Sequence, residues 1–146
     1  MTNPAAKYPW HWLEPDWDDH VIQKQVEIAI ASGRIKPPSW SGTIKPYQGA
    51  TPQERINGWK ITKCAILMGL LPEPTMCSVC GTTQRTMESH TEDYSRPIQS
   101  KPICRSCHRI LHNRFKNPER WKAFVDKHAY PEAWFTSISL QVIMPE

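Results

Sequence analysis

Residues 104–115 read Cys-Arg-Ser-Cys-His-Arg-Ile-Leu-His-Asn-Arg-Phe, and this stretch decides the fold. Its cysteines and histidines fit a haem attachment site, a metal site, or a helix with buried thiols. An earlier pair, Cys77-Ser78-Val79-Cys80, ends 24 positions before Cys104. Two Cys-x-x-Cys pairs at this separation indicate zinc, because each tight turn aims two sulfurs at one point and two turns complete a tetrahedron. Free, buried thiols are the alternative.

Haem attachment is the weaker interpretation of Cys-x-x-Cys-His. It requires export or an organelle, and residues 1–17 contain no basic stretch followed by a long apolar run. It also leaves Cys77 and Cys80 unexplained. We therefore expect a cytoplasmic protein, in which cysteines are more often metal ligands than disulfides. The longest apolar run, at 64–71, is too short to span a bilayer, so we expect no membrane partner.

The position of the second cysteine pair predicts a treble clef. Residues 73–103 have the pattern of a hairpin and loop, and the chain after Cys107 can continue as a helix. We therefore predict an α+β fold: a mainly helical small domain with a zinc-bound module made of a β-hairpin plus a helix. His108 and His112 are four residues apart, so they share one helix face and can present two imidazoles to a second metal.

The chain divides into three predicted segments. Residues 1–50 form an arm, a helix over 16–32 and a Pro-rich loop; residues 51–116 form a helix and the zinc module; residues 117–146 form a C-terminal helix and tail. The first helix has one predicted apolar stripe, made of Val21, Ile22, Val26, Ala29 and Ile30. Thr51-Pro52-Gln53-Glu54 predicts a capping box. Cys64 has no partner at ligand spacing, which favours a small buried hydrophobe.

Basic residues are concentrated around the second cysteine pair. The net charge is only +4, but residues 96–122 hold eight lysines and arginines and one acid, Glu119. Such a segment is typical of a surface that binds nucleic acid, and a solvated helix face is the alternative. The candidate phosphate contacts are Arg105, Arg109, Arg114 and Lys116.

The combination "CSVCG…SHTEDYSRPIQSKPICRSCHRILHNRF" (77–115) resembles the zinc-containing branch of the HNH endonuclease superfamily, especially its small phage and mobile-element members. The resemblance covers roughly residues 60–115. It implies a structural zinc on Cys77, Cys80, Cys104 and Cys107. It also implies that His90, at the end of the first strand, works with His108 and His112 on a second divalent metal, Mg²⁺, Mn²⁺ or Ni²⁺, while an adjacent residue activates water.

The sequence departs from this family beside His90, where the family has a His-His or Asp-His pair. If "DYSRP" sets the register, His90 is the metal ligand and Thr91 takes the place of the base. If the register slips by one, His90 is the base and Ser89 replaces the ligand. A threonine hydroxyl is a poor base, so Glu88, Glu92 or Asp93 would have to substitute, although Glu92 and Asp93 also suit ordinary turns. The middle Asn of the motif is not evident either.

Three functions follow from these patterns. The leading one is a zinc-binding, HNH-like treble-clef protein that binds nucleic acid, with DNA as the expected partner and nuclease activity left open. The second is an active divalent-metal-dependent DNA endonuclease that uses His90, His108 and His112 despite an incomplete catalytic motif. The third is a zinc-stapled phage or mobile-element adaptor that binds a protein partner, for which the seven tryptophans would provide contact surface. His108 and His112 also have a structural alternative to metal binding, in which a histidine of the helix packs or bonds a cysteine sulfur.

Overall fold

The computed structural model describes residues 19–128, 134–138 and 140, and within them it confirms the α+β class. The elements run α1 (Asp19–Ala31), α2 (Pro52–Leu67), β1 (Met87–His90), β2 (Lys101–Cys104), α3 (Arg105–His112) and α4 (Pro118–Lys127). Two short 3-10 helices, Pro97–Gln99 and Trp134–Ser137, complete the described part.

The described residues group into two compact units. The helical unit contains residues 19–73 and 91–100, with α1 and α2. The hairpin unit contains residues 74–90 and the described residues from 101 onward, with both strands, α3 and α4. The predicted segments 1–50, 51–116 and 117–146 follow the chain, whereas these contacts join parts that are distant in sequence.

Helix α1 of the helical unit buries a narrower stripe than the sequence predicts. Ile22, Val26 and Ala29 are buried, but the side chain of Val21 is 50% exposed. Each residue advances a helix by about 100°, so Val21 points roughly a quarter turn away from the stripe that the other three form. The first residues of the predicted range 16–32 lie outside the described residues, within which the helix runs from Asp19 to Ala31.

Helix α2 begins with the predicted capping box. The Thr51 hydroxyl accepts from the Glu54 amide at 3.1 Å, and the Glu54 carboxylate accepts from the Thr51 amide at 3.0 Å. Cys64 is fully buried, as predicted. Gly58 is required by packing, because a Cβ there would lie 2.8 Å from Cδ1 of Tyr94.

The hairpin unit is built on a two-stranded antiparallel sheet. Strand β1 pairs with β2 so that Met87 faces Cys104 and His90 faces Lys101. Side chains alternate along a strand, so Glu88 and His90 project from the same face. Asn117 caps helix α4: its Oδ1 accepts from the Arg120 amide at 3.1 Å. The core of the unit consists of Cys77, Val79, Ile103, Cys104, Cys107, Leu111, Trp121 and Phe135.

Candidate metal centres

The four predicted zinc ligands meet in the hairpin unit. The sulfur atoms of Cys77, Cys80, Cys104 and Cys107 all lie within 4.8 Å of one another. The sulfurs of Cys80 and Cys104 are 3.9 Å apart. A tetrahedron with zinc–sulfur bonds of about 2.3 Å has edges of about 3.8 Å. The cluster therefore has the donor type, number and spacing of a zinc site.

Backbone geometry explains how the local sequence shapes this cluster. The amides of Val79 and Cys80 each donate to the Cys77 sulfur at 3.4 Å. Gly81 closes the turn at a φ of 76°, a conformation in which glycine is favoured. Cys104 caps helix α3 and its sulfur accepts from the Cys107 amide at 3.4 Å. The second pair thus stands at a helix start, which is the treble-clef arrangement that the sequence predicts.

The ionisation of the cysteines also points to a bound cation. A hydrogen bond from the Cys107 thiol lowers the pKa of Cys77 to about 4, against the opposing effect of burial. Burial raises the pKa of Cys80 to about 11. The hydrogen bond to Cys77, followed by burial, raises the pKa of Cys107. Without a metal, Cys77 is thus the favoured thiolate beside the protonated Cys80 and Cys107, and a divalent cation would stabilise the ionised form of these two ligands.

The three predicted site histidines also come together in the hairpin unit. His90 ends β1, and His108 and His112 lie one turn apart on α3. His108 Nε2 is 3.2 Å from His90 Nδ1 and 2.9 Å from His112 Nε2. One nitrogen from each ring lies within 4.8 Å of the others. Ligands about 2.1 Å from a tetrahedral ion would be about 3.4 Å apart, so the spacing suits a divalent metal.

A tryptophan that sequence reasoning missed packs on this histidine cluster. The Trp134 ring stacks on His90 with 5.8 Å between centroids and 18° between planes. Its indole N–H donates to the Ser78 hydroxyl at 2.9 Å, and that hydroxyl donates to the Pro102 carbonyl at 2.6 Å. Trp134 therefore connects the first cysteine turn to His90. Nothing in the spacing of residue 134 from these motifs signals the contact.

Glu88 faces the histidine cluster from strand β1. Its Oε1 lies 3.0 Å from His108 Nδ1, and its Oε2 accepts from Arg105 Nε at 3.3 Å. Partial burial raises the pKa of Glu88, but the bonds to His108 and Arg105 outweigh it, and the pKa is lowered overall. Glu88 is thus held as a carboxylate against the ring of a candidate metal ligand.

The other two acids considered as substitute bases lie in the helical unit and have different partners. Glu92 accepts from the Tyr47 hydroxyl at 2.6 Å. Asp93 Oδ1 accepts from the amide and hydroxyl of Ser95 at 2.9 and 2.6 Å, as expected of a turn residue. Thr91, the residue after His90, is buried.

The four predicted phosphate contacts separate by exposure. Arg105, Arg109 and Lys116 are exposed. Arg114 is 0% exposed, so its prediction as a surface contact does not agree with the structure. Its guanidinium donates to the Leu111 carbonyl at 3.1 Å and lies 4.3 Å from the Phe115 ring centre. Arg114 faces inward because it follows the end of α3, where it bonds the last turn of the helix.

Comparison of this chain with protein-family models, with curated proteins and with solved structures finds no match. The molecule itself presents a small α+β fold with a four-cysteine cluster compatible with zinc. Over the part of the chain that the structure describes, every helix is too short or too polar to cross a bilayer.

Proposed function

We propose that this chain is a zinc-stabilised, HNH-like protein that binds DNA and cleaves it with a second divalent metal ion held by His90, His108 and His112. The observation that supports it best is the convergence of three imidazole nitrogens in the unit that carries the cysteine cluster. Three protein ligands leave coordination positions open, which is typical of catalytic rather than structural metal sites.

The protein residues divide the work of this proposed site. A bound cation would neutralise charge on the scissile phosphate and make water more acidic. His90 and the two α3 histidines would hold the ion, while the zinc would fix the start of α3 and hence the position of His108. Thr91 accepts no proton near neutral pH. The proposal therefore rests on the three histidines and not on the residue beside His90.

The donor set also narrows the choice of ion. Imidazole nitrogens suit Zn²⁺, Ni²⁺, Cu²⁺ and Fe²⁺, whereas Mg²⁺ prefers oxygen ligands. Among the predicted ions Mg²⁺, Mn²⁺ and Ni²⁺, nickel therefore fits three histidines best. With Mg²⁺ as the only added divalent ion, we expect the protein to cleave DNA weakly or not at all.

A plasmid assay tests the proposal. Zinc-loaded protein is incubated with supercoiled DNA and Mg²⁺, Mn²⁺, Co²⁺ or Ni²⁺, beside the variants His112→Ala and His20→Ala. His20 is an exposed histidine of α1 and provides the matched control. We expect nicking by the wild type and by the His20 variant, and background levels with His112→Ala. A wild type that cuts with none of these ions, or a His112 variant that cuts equally well, would overturn the proposal.

A further inference from the structure

We propose that Glu88 is a positioning residue that fixes the tautomer and ring orientation of His108, so that Nε2 of this histidine faces the metal position. The inference rests on the proposed function, because it concerns the same three-histidine site. It adds a residue whose role is set by its contacts and not by any motif.

The first step concerns the proton on His108. An ionised carboxylate only accepts hydrogen bonds, so the 3.0 Å contact with Glu88 Oε1 requires the proton to be on His108 Nδ1. In the neutral imidazole the other nitrogen, Nε2, then carries a lone pair. This nitrogen is the one that lies near His90 Nδ1 and His112 Nε2.

The second step concerns what the three nitrogens can share. His108 Nε2 has two imidazole nitrogens within hydrogen-bond distance, at 3.2 and 2.9 Å. A single lone pair serves two donors poorly. A cation, in contrast, accepts one lone pair from each ring. With His108 fixed by Glu88, the arrangement suits metal coordination better than a hydrogen-bonded trio.

The third step concerns how Glu88 itself is held. Its second oxygen accepts from Arg105 Nε at 3.3 Å, and its side chain is 34% exposed. Its backbone is paired opposite Ile103 in the sheet, and it shares a strand face with His90. The Arg105 side chain is 60% exposed, so this outer contact is expected to contribute little. The strand therefore orients Glu88 more than Arg105 does.

Carboxylate partners of this type keep a metal-bound histidine in the correct tautomer and raise its basicity. Their loss typically lowers metal affinity by about 10–100-fold. A glutamine at position 88 can still accept from Nδ1–H through its amide oxygen, so it should preserve orientation while removing the charge. An alanine removes both.

Nickel affinity measured by calorimetry tests this inference on protein already loaded with zinc. The variants are Glu88→Ala, Glu88→Gln and, as control, Glu73→Ala, which changes an exposed acid of the helical unit. We expect Glu88→Ala to weaken nickel binding by about 10–100-fold. Glu88→Gln should lose less, and the Glu73 variant should match the wild type. Unchanged affinity in Glu88→Ala would overturn the inference.

A second measurement separates this inference from the proposed function. Nitrogen-15 NMR of the histidine rings, before nickel is added, reports which nitrogen of His108 is protonated. We expect Nδ1–H in the wild type and a mixture of tautomers in Glu88→Ala. The same tautomer in both proteins would contradict the role of Glu88. A wild type that binds no nickel at its histidines would instead contradict the proposed function, whatever the tautomer.

Discussion

At the scale of single residues, one ion pair is expected to make the stability of the helical unit depend on pH. Both oxygens of Asp19 accept from Arg96, at 3.0 and 3.2 Å, and the aspartate side chain is 5% exposed. The hydrogen bond from Arg96 lowers the pKa of Asp19, despite the opposing effect of burial. A lowered pKa in the folded state stabilises the protein above the unfolded value, near pH 4, and this stability is lost as the pH falls through the folded pKa.

We therefore predict that Asp19→Asn lowers the free energy of unfolding by about 1–2 kcal/mol at pH 7. Hydrogen bonds to charged groups contribute about 1.5–3 kcal/mol, and solvent screening at the 42% exposed Arg96 side chain reduces this value. The difference from the wild type should persist to pH 5 and shrink below pH 4. Urea unfolding at several pH values measures this difference. Glu73→Gln, at an exposed acid, is the control, because it would lose bound metal in acid to the same extent as the wild type. A stability difference between Asp19→Asn and the wild type that stays constant down to pH 2.5 would contradict the lowered pKa of Asp19.

The metal-site residues differ in how far the sequence predicts them. The four cysteines follow from two short spacers, because a tight turn and a helix start are local structures. His108 and His112 follow from helical periodicity, and His90 from the family resemblance. Glu88 contacts His108 because it lies on the same strand face as His90. Trp134 contacts His90 across 44 positions of sequence. Only the tertiary structure reveals these two contacts.

At the scale of elements, helix α3 combines most of the proposed functions. It carries Cys107 and two of the histidines, while Arg105 and Arg109 are exposed on it. If this helix contacts phosphates, Arg109→Ala should weaken DNA binding at low salt and reduce the slope of log affinity against log salt by about 1. Fluorescence anisotropy over 50–200 mM salt measures both quantities.

The control for this element is Lys63→Ala, which removes an exposed cation from α2 in the helical unit. It should leave the affinity and the salt slope almost unchanged if binding is local to α3. Equal losses in the two variants would indicate attraction by net charge alone. An unchanged affinity in Arg109→Ala would remove α3 from the proposed DNA-binding surface.

The elements also show why local signals succeed and surface predictions fail. The starts of α2 and α4 were predictable, since Thr51 and Asn117 bond to amides three residues away. Val21 was predicted to be buried and is exposed, whereas Arg114 was predicted to be exposed and is buried. Burial depends on which element packs alongside, and neither periodicity nor charge contains that information.

At the scale of the whole molecule, the cysteines of the zinc cluster are part of a hydrophobic core. Cys77, Cys104 and Cys107 pack in one cluster with Leu111 and Phe135. The helical unit has a separate set of buried residues, which includes Ile22, Val26, Cys64 and Ile98. Zinc binding and folding of the hairpin unit should therefore be coupled, because the same side chains serve both.

We predict that zinc removal unfolds the hairpin unit before the helical unit. Hydrogen exchange read by mass spectrometry, with and without a strong chelator, should show loss of protection first in β1, β2 and α3, while α1 and α2 retain more. Cys104→Ser should reproduce this loss without chelator, whereas Cys64→Ala, at a buried cysteine outside the cluster, should keep its zinc. Full protection of α3 in metal-free protein would contradict the coupling, because the four thiols without a cation would then suffice to hold both turns in place.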